Sequence, residues 1–286
     1  MNNYIRDNRV ATLRHYLKVE LLGLYDAREA EQIVKILFQH YLGWSSTQMM
    51  LNKEEKLSES EILLLHQALK RLKQGMPVQY AIGCAYFMDM SLKVSPAVLI
   101  PRPETEELVR LITEDYAHQA PTILDIGTGS GCIGLGLKKH LPESQVTLLD
   151  TSSEALAIAE HNAQSLQLDV QCIHADIMHY RSEPHQWDVI VSNPPYIPLS
   201  EKQEMAPNVV NHEPHLALFV TDQEPLIFYW RIIQIARIAL KPGGKIYFEI
   251  HERMGESIRK LCLDSGLTKL KIIKDMQGKD RMIVIG

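Results

Sequence analysis

Two different spacings of hydrophobic residues divide the chain into a helical part and an alternating part. In residues 4–73, apolar positions recur every three or four residues, which is the period of an amphipathic helix. The segment AREAEQIVKILFQHYL shows this spacing at Ile33, Val34, Leu37 and Tyr41. Ser58 precedes Glu61 by three positions, the arrangement of a capping box at a helix start. The pattern predicts a small all-α helical bundle over residues 1–76.

A short segment of different character follows the helical part. After Gly75 and Pro77, the segment QYAIGCAYFMDMSLKV mixes β-branched and aromatic residues around a central glycine. Such a composition is typical of two short strands joined by a turn. We therefore expect a β-hairpin linker over residues 77–100.

Residues 101–286 alternate between short apolar runs and helix-favouring stretches. The segment PRPETEELVRLITEDYA predicts a helix, because Pro103 suits an early helical position and acidic residues fill the first turn. Its apolar face comprises Leu108, Leu111 and Ile112. Strands are predicted over residues 122–124, 146–149, 170–174, 189–192 and 245–250, with two closing strands at a sheet edge over residues 269–273 and 282–285 and a last helix near residues 256–265. This alternation predicts an α/β fold with a parallel sheet covered by helices on both faces.

Length and composition are those of an ordinary globular protein with two domains. The chain has 286 residues, of which 45% are hydrophobic and 23% are charged, and it shows no internal repeat. The N-terminal MNNYIRDNRV lacks the apolar core of a secretory signal, and no apolar run approaches membrane-spanning length. We therefore expect a cytoplasmic protein with no membrane partner.

The net charge and the spacing of the cysteine and histidine residues indicate which classes of partner and metal site the sequence disfavours. The net charge of -5 argues against a protein that binds nucleic acid by covering its phosphates. The four cysteines form no C-x-x-C pair, which fits a reducing compartment, and the twelve histidines show no metal-ligand spacing. We expect no metal site and no direct nucleic-acid partner.

A glycine-rich loop follows the first strand of the alternating part. The segment ILDIGTGSG places it before a helix that begins near Cys132. Glycine allows a tight turn and lets a ligand approach main-chain N–H groups that a side chain would block. The predicted cofactor-binding loop comprises Gly127, Thr128, Gly129, Ser130 and Gly131. Asp125 precedes the loop, and an acid at this strand end can simply orient it.

Asp150 ends the next strand, about 20 residues after the loop, where a carboxylate can accept hydrogen bonds from both hydroxyls of a ribose. The spacing alone allows a dinucleotide or S-adenosylmethionine as the cofactor. The loop reads D-x-G-x-G-x-G and departs from the dinucleotide pattern G-x-G-x-x-G, which favours S-adenosylmethionine.

The third strand ends in HADIMHY, which offers a site for an adenine ring. Asp176 can accept from the adenine amino group, and Ile177 can pack on the ring. An acid in a surface turn is the alternative interpretation of Asp176. Ligands of parallel sheets bind at the carboxyl ends of the strands, so we expect the loop, Asp150, Asp176 and Asn193 at one edge.

The segment VIVSNPPYIP ends a predicted strand in two prolines, which lack the amide proton that a strand ladder needs. Asn193 offers a side-chain carbonyl and Pro194 a main-chain carbonyl, and together they can accept both protons of a planar –NH2 group. The pair would aim the nitrogen lone pair at a methyl carbon about 3–3.5 Å away. Tyr196 can cover one face of the acceptor, and Pro195 helps to stiffen the loop. The alternative is an ordinary proline turn that ends a buried strand.

The segments ILDIGTGSG, VSNPPYI, PVQYAIG and VLIPRPETEELV together resemble the protein-(glutamine-N5) methyltransferases that modify peptide chain release factors. The resemblance runs from the helical N-terminus to GKDRMIVIG. It implies a class I, Rossmann-like methyltransferase domain with a seven-stranded sheet over residues 101–286. The helical region would be the substrate-docking domain. The implied donor is S-adenosylmethionine, which leaves as S-adenosylhomocysteine, and the implied acceptor is the glutamine of the Gly-Gly-Gln loop of class 1 release factors. We expect a monomer.

The resemblance also implies roles for single residues. By motif, Asn193, Pro194 and Tyr196 would be catalytic, and the stretch from Asn193 to Tyr196, Pro195 included, would hold the glutamine. Asn193 would also lie against the cofactor. Arg102 and Glu104 are similar to part of the active-site wall, and Glu213 and Pro214 match an E-P pair of the family.

Two departures from the family pattern concern the loop and the adenine site. A Gly-Gly-x-Asp-Gly-Leu stretch often follows the E-P pair, whereas ALFVTDQEPLIFYW keeps Asp222 and replaces the glycines. The position after Asp176 is often aromatic, and here it is Ile177.

Three alternatives stay open from the residues. A methyltransferase for an exocyclic amine of RNA or DNA would use the same two acceptors, but residues after Tyr80 carry 19 Lys and Arg against 26 Asp and Glu. Another protein glutamine, such as one on a ribosomal protein, would suit the same pocket. A non-catalytic adaptor is disfavoured because packing alone does not require Asn193.

Overall fold

The computed structural model describes residues 7–286. The first positions of the predicted helical region, residues 4–6, lie outside the described residues. The chain divides into two compact units, Met1–Gly83 and Cys84–Gly286. The finer division predicted from the sequence, with a linker over residues 77–100, stays a prediction.

The first unit is helical, as its hydrophobic spacing predicted. Its helices are α1 (Val10–Leu21), α2 (Ala27–Leu42), α3 (Ser46–Leu51), α4 (Glu59–Leu72) and α5 (Val78–Ile82). Their apolar faces meet in one core that includes Leu17, Phe38 and Leu65. The predicted capping box is confirmed: Ser58 accepts from the Glu61 amide, and the Glu61 carboxylate accepts from the Ser58 amide at 2.7 Å. Local sequence signals and the shared core therefore explain why these helices form.

The second unit begins with the predicted hairpin and continues as alternating strands and helices. Its strands are β1 (Cys84–Phe87), β2 (Met90–Lys93), β3 (Thr122–Ile126), β4 (Gln145–Asp150), β5 (Gln171–His174), β6 (Trp187–Ser192), β7 (Ile197–Pro198), β8 (Phe219–Val220), β9 (Leu240–Glu249), β10 (Leu270–Lys274) and β11 (Asp280–Ile285). Its α-helices are α6 (Pro103–Asp115), α7 (Cys132–His140), α8 (Ser153–Leu166), α9 (Pro207–His212), α10 (His215–Leu218), α11 (Ile227–Ala239) and α12 (Gly255–Asp264). The hairpin pairs β1 with β2, and the stretch from Val78 to Ile82 before it is helical and does not belong to the hairpin.

The main sheet has seven strands in the order β10-β11-β9-β6-β3-β4-β5. The pairings among β9, β6, β3, β4 and β5 are parallel, and β11 is antiparallel to both β9 and β10. The predicted parallel sheet is thus confirmed, with the two closing strands at one edge. The sheet as a whole is mixed.

Side chains alternate between two apolar layers, one on each face of the sheet. On β3, Ile123 packs with helices α6 to α8, whereas Leu124 packs with α11 and α12. On β6, Val189 and Ile190 divide in the same way. This alternation follows from the two-residue period of a strand and confirms that helices cover both faces.

Strand β9 starts earlier than the sequence predicted. Its partner register jumps from Trp187 opposite Leu240 to Val189 opposite Lys245, so that the KPGG stretch is accommodated as an irregularity within the strand. Gly243 has a φ of 82°, which glycine adopts without strain. The sequence analysis predicted a strand only over residues 245–250.

Within residues 7–286, no helix combines the length and the apolar character needed to cross a membrane. All the strands listed above lie within Cys84–Gly286.

Candidate active site

A cavity of about 530 Å³ opens at the carboxyl ends of the parallel strands. Its wall includes Ile126 at the end of β3, Asp150 at the end of β4 and Ser192 at the end of β6. Parallel strands present their carboxyl ends at one edge, which is where sheets of this kind bind ligands. The sheet topology therefore gathers residues that are far apart in the sequence.

The glycine loop forms one side of the cavity. Gly127 and Gly129 have φ values of 71° and 55°, which residues with a side chain rarely adopt. A Cβ atom built on either glycine would meet nothing within 4 Å, so the space over the loop is open. The main-chain N–H groups of Gly127 and Thr128 donate to the Leu149 carbonyl, which fastens the loop to β4.

Gly131 serves a different purpose from the two glycines before it. It is the N-cap of α7 with a φ of 83°, and an added Cβ would lie 2.9 Å from Leu135 Cδ1 and 3.2 Å from Ala159 Cβ. It is not among the cavity-lining residues, whereas Gly127, Thr128, Gly129 and Ser130 are. Close helix packing and the positive φ explain a glycine here.

Asp125 stabilises the conformation of the glycine loop through hydrogen bonds. Its Oδ2 accepts from Thr128 Oγ1 at 2.6 Å and from the Gly134 amide at 3.0 Å. The side chain is fully buried, and burial raises the pKa of this carboxyl to about 7, opposed by those two hydrogen bonds. The orienting interpretation of this strand-end acid fits these contacts.

Asp150 lies on the cavity wall with both oxygens fixed. Its Oδ2 accepts from the Gly129 amide at 2.8 Å, and its Oδ1 accepts from the Ser152 amide at 2.9 Å. A carboxylate oxygen has more than one lone pair, so each oxygen can accept a further hydrogen bond from a ligand hydroxyl. The arrangement fits the predicted contact with a ribose.

Asp176 and Ile177 also line the cavity, beyond the end of β5. The Asp176 side chain is 47% exposed, and its Oδ1 accepts from the Met178 amide at 2.9 Å. That backbone hydrogen bond is the main cause of the lowered pKa of Asp176. Ile177 is buried and presents an apolar surface. Asp176 therefore closes a surface turn and borders the cavity as well.

The Asn-Pro-Pro segment follows β6 directly, and Asn193, Pro194 and Pro195 all line the cavity. Ser192 anchors the strand end, because its hydroxyl donates to the Ile126 carbonyl at 2.7 Å. The two residues predicted to supply acceptors for an –NH2 group thus line the same cavity as the glycine loop and Asp150.

Tyr196 packs behind this wall and is not among the lining residues. Its ring centroid lies 5.8 Å from that of His251, in a tilted arrangement. Burial raises the pKa of the Tyr196 phenol to about 12, so it stays protonated at neutral pH. It therefore cannot act as a general base there.

Arg102 lines the cavity, whereas Glu104 does not. The Arg102 guanidinium donates to Glu213 Oε1 at 2.5 Å, and the Ile100 amide donates to Glu213 Oε2 at 3.3 Å. Glu213 is buried and comes after the Asn-Pro-Pro segment in the chain. The E-P pair singled out in the sequence therefore ties that region to the start of α6.

The divergent loop over residues 219–230 closes on the Asn-Pro-Pro segment. β7 pairs with β8 in parallel, with Ile197 opposite Phe219. Asp222, retained in this chain, accepts from the Ser200 hydroxyl at 2.6 Å and from the Ser200 amide at 3.0 Å. Phe228, at the start of α11, lines the cavity.

Sequence reasoning missed two parts of the site. Residues 96–101 line the cavity, and their sequence, PAVLIP, carries no pattern that marks a ligand wall. Glu249 was also missed, although it carries the same signal as Asp150, an acid at the carboxyl end of an apolar strand. Its carboxylate accepts from Thr105 Oγ1 at 2.6 Å, and Thr105 lines the cavity.

The residues present fit S-adenosylmethionine. Open space over two positive-φ glycines admits a ligand close to the main chain, and the cavity is lined largely by apolar groups beside the Asp150 carboxylate. Gly127 to Ser130 and Asp150 would hold the cofactor, with Ile177 beside its base.

Known methyltransferases are similar to this chain over most of its length. A family model described as the methyltransferase small domain matches residues 104–216, and one described as the PrmC N-terminal domain matches residues 16–83. The release factor glutamine methyltransferase of Bacteroides thetaiotaomicron is 40% identical to this chain over 269 residues, which cover 94% of this chain and 96% of that protein. The protein of the same name from Lactococcus lactis is 42% identical, over 81% of this chain and 85% of its own length.

Solved structures support the fold. A methyltransferase from Pyrococcus furiosus superposes with a TM-score of 0.51 at 18% identity, covering 80% of this chain and 98% of that one.

Proposed function

The chain belongs to the family of S-adenosylmethionine-dependent release factor glutamine methyltransferases, and from this premise we propose its reaction and the residues that carry it. It transfers a methyl group to the side-chain nitrogen N5 of the glutamine in the Gly-Gly-Gln loop of class 1 peptide chain release factors, in the cytoplasm. The observation that carries the proposal is that Asn193 and Pro194 share one cavity wall with the glycine loop and Asp150.

Asn193 and Pro194 bind and orient the acceptor. The Asn193 Oδ1 and the Pro194 carbonyl accept the two protons of the glutamine –NH2 group, which holds the nitrogen lone pair toward the cofactor side of the cavity. When bound, S-adenosylmethionine supplies an electrophilic methyl group and leaves as S-adenosylhomocysteine. Positioning supplies most of the rate acceleration, because no general base is needed before the transfer. The methylated nitrogen loses one proton to solvent after the transfer.

Residues on the wall and behind it support the segment that binds the acceptor. Tyr196 and Pro195 stiffen the segment around the acceptor, and the neutral Tyr196 phenol places no charge beside the reacting nitrogen. Arg102 is held by Glu213 and lines the cavity, and we expect it to contact the release factor. Glu104 remains outside the lining and would act only through its charge.

Transfer to purified release factors in the presence of labelled donor tests the proposal. We expect a mass increase of one CH2 group, located by peptide sequencing on the Gly-Gly-Gln glutamine. Asn193→Ala should lower the transfer rate by about a hundredfold or more, because one of the two acceptors is lost. Cofactor affinity, measured by calorimetry, should fall much less.

The matched control is Asn208→Ala, which removes an exposed asparagine side chain from α9 and should leave transfer unchanged. Label on an RNA or DNA base would favour the alternative acceptor, an exocyclic amine. Label on a ribosomal protein would favour another glutamine. No label on any of these substrates would contradict catalysis by this chain.

A further inference from the structure

Glu249 is a buried acid that has no role in the reaction proposed above. We propose that Glu249 is a positioning residue, whose carboxylate holds the Asn193 NH2 group so that the Asn193 Oδ1 faces the cavity. This inference rests on the proposed function for its kinetic consequence, whereas the contact itself can be tested in the protein without ligands.

Sheet register brings the two residues together. β6 and β9 are parallel neighbours, and Ser192 pairs with Phe248. The next residues along the two strands are Asn193 and Glu249. Their side chains therefore leave the sheet side by side, although 56 positions separate them in the sequence.

Contacts around the Glu249 carboxylate are specific. Thr105 Oγ1 donates to Glu249 Oε2 at 2.6 Å, and the nearby Asn193 side chain lowers the pKa of this carboxyl. Glu249 and Thr105 are 3% and 2% exposed, so water does not compete for the hydrogen bond between them. The Glu249 main chain is fixed as well, because the Tyr229 hydroxyl donates to its carbonyl at 3.0 Å.

The orientation of an asparagine amide determines its chemistry. One side of the amide accepts and the other donates, and a half turn about the last side-chain bond exchanges them. A carboxylate only accepts, so Glu249 can pair with the Asn193 NH2 group and not with its oxygen. The oxygen is then left for the substrate, as the proposed reaction requires.

Protonation of Glu249 would remove this constraint, because a carboxylic acid can donate to the Asn193 oxygen. Burial raises the pKa of Glu249 to about 7, and the Thr105 hydrogen bond lowers it. Arg281 on β11 lowers the pKa further, and Glu104 on α6 raises it. Also facing this carboxylate are Tyr196, Tyr229 and Cys132, which are neutral at pH 7, and the His251 ring stacks against Tyr196. The orientation of Asn193 should therefore change as the pH falls through about 7.

Nuclear magnetic resonance of the cofactor-free protein tests the contact directly. In protein labelled with 15N-asparagine, the side-chain NH2 signals of Asn193 are identified by their loss in Asn193→Ala. We expect these signals to shift with a midpoint near pH 7 in the wild type and to stay fixed in Glu249→Gln. Asp125→Asn is the matched control, since Asp125 is another buried strand-end acid whose pKa is raised to about 7, and the shift should persist there. Signals that do not move with pH, or that still move in Glu249→Gln, would overturn the inference.

Single-turnover methyl transfer to a release factor tests the consequence. We expect the wild-type rate to fall below about pH 7, and we expect Glu249→Gln to be slower by about tenfold to a hundredfold, without that acid limb. Cofactor affinity should be unchanged, and Asp125→Asn should keep the limb. A wild type that transfers no methyl group would contradict the proposed function, and the resonance measurement would still decide the role of Glu249. A wild type that transfers as fast as Glu249→Gln with the same pH profile would contradict the positioning role alone.

Discussion

Single residues at strand ends differ in role because their surroundings differ. Asp125 and Asp150 end neighbouring parallel strands, yet Asp125 is fully buried and Asp150 lines the cavity. Asp125 accepts hydrogen bonds from Thr128 and Gly134, whereas Asp150 can still accept hydrogen bonds from a ligand in the cavity. Sequence position alone does not separate these two acids.

Replacing Asp125 by Asn should change how stability depends on pH. The folded protein holds the Asp125 pKa at about 7, above its ordinary value of 3.8, so it binds more protons than the unfolded chain between these values. The contribution of Asp125 to the free energy of unfolding is full below about pH 4 and declines as the pH rises to about 7. The wild type should therefore lose stability relative to Asp125→Asn as the pH rises through this window.

Urea unfolding of both proteins between about pH 5 and pH 8 measures that difference. Asp188→Asn is the control, because hydrogen bonds from Lys241 and Thr122 outweigh burial and lower the pKa of Asp188. Its difference from the wild type should be constant over the same range. Parallel curves for wild type and Asp125→Asn would contradict the prediction.

At the scale of elements, the cavity wall depends on ties between segments that are distant in sequence. The Arg102–Glu213 pair joins the start of α6 to the region after β6, and Asp222 with Ser200 holds the loop that follows. Asn162 on α8 donates to the carbonyls of Lys93 and Ser130, which links the hairpin to the glycine loop. These side-chain ties position loops that have no regular structure of their own.

Arg102→Ala should destabilise the protein more than Glu213→Gln does. The Glu213 side chain is 1% exposed and Arg102 is 36% exposed, so removal of the guanidinium leaves a buried carboxylate that water cannot reach. We expect a loss of about 1–3 kcal/mol in the free energy of unfolding for Arg102→Ala. Glu213→Gln removes the buried charge and leaves an arginine that solvent can reach, so it should cost less.

Denaturant unfolding of these variants and of the double variant measures the coupling between the two residues. The double variant should be more stable than Arg102→Ala alone. Arg110→Ala, which breaks the exposed pair with Glu106, is the control and should cost no more than about 0.5 kcal/mol. If Arg102→Ala and Arg110→Ala lower the free energy of unfolding equally, the buried Glu213 carboxylate does not depend on Arg102 for its stability.

At the scale of the whole molecule, the cavity and the exposed surface of the helical unit belong to different units. The residues that line the cavity belong to Cys84–Gly286, and none of residues 7–83 is among them. Met50 and Leu51 on that unit are 67% and 76% exposed, and the nearby Lys53 and Lys56 are exposed as well. Residues through Tyr80 carry 11 Lys and Arg against 9 Asp and Glu. We propose that this surface binds the release factor.

Charge reversal at Lys53 and Lys56 should weaken docking without affecting the chemistry. We expect the KM for the release factor to rise by about threefold to tenfold, while kcat and cofactor affinity stay unchanged. Lys260→Glu, a reversal on the exposed face of α12 in the other unit, is the matched control. An unchanged KM in the double reversal would remove the docking proposal for this surface.

Local sequence signals determined the elements and the chemistry of their ends. The helical period of the first unit, the capping box at Ser58 and the alternation of residues 101–286 each act within a few residues of the chain, so sequence reasoning found them. The glycine loop, Asp150 and the Asn-Pro-Pro segment were predicted for the same reason. Their predicted contacts with cofactor and substrate stay predictions.

Tertiary structure alone decided which of these ends are neighbours and how each is used. Glu249 lies beside Asn193 because β9 is next to β6, and strand order depends on how helices pack on both faces of the sheet. In the same way, Gly131 packs against Leu135 and Ala159 and so differs in role from the glycines that line the cavity. Glu213 is held in position by its ion pair with Arg102. Spacing along a chain specifies what a residue can do, whereas its partners and its exposure arise only when distant segments pack together.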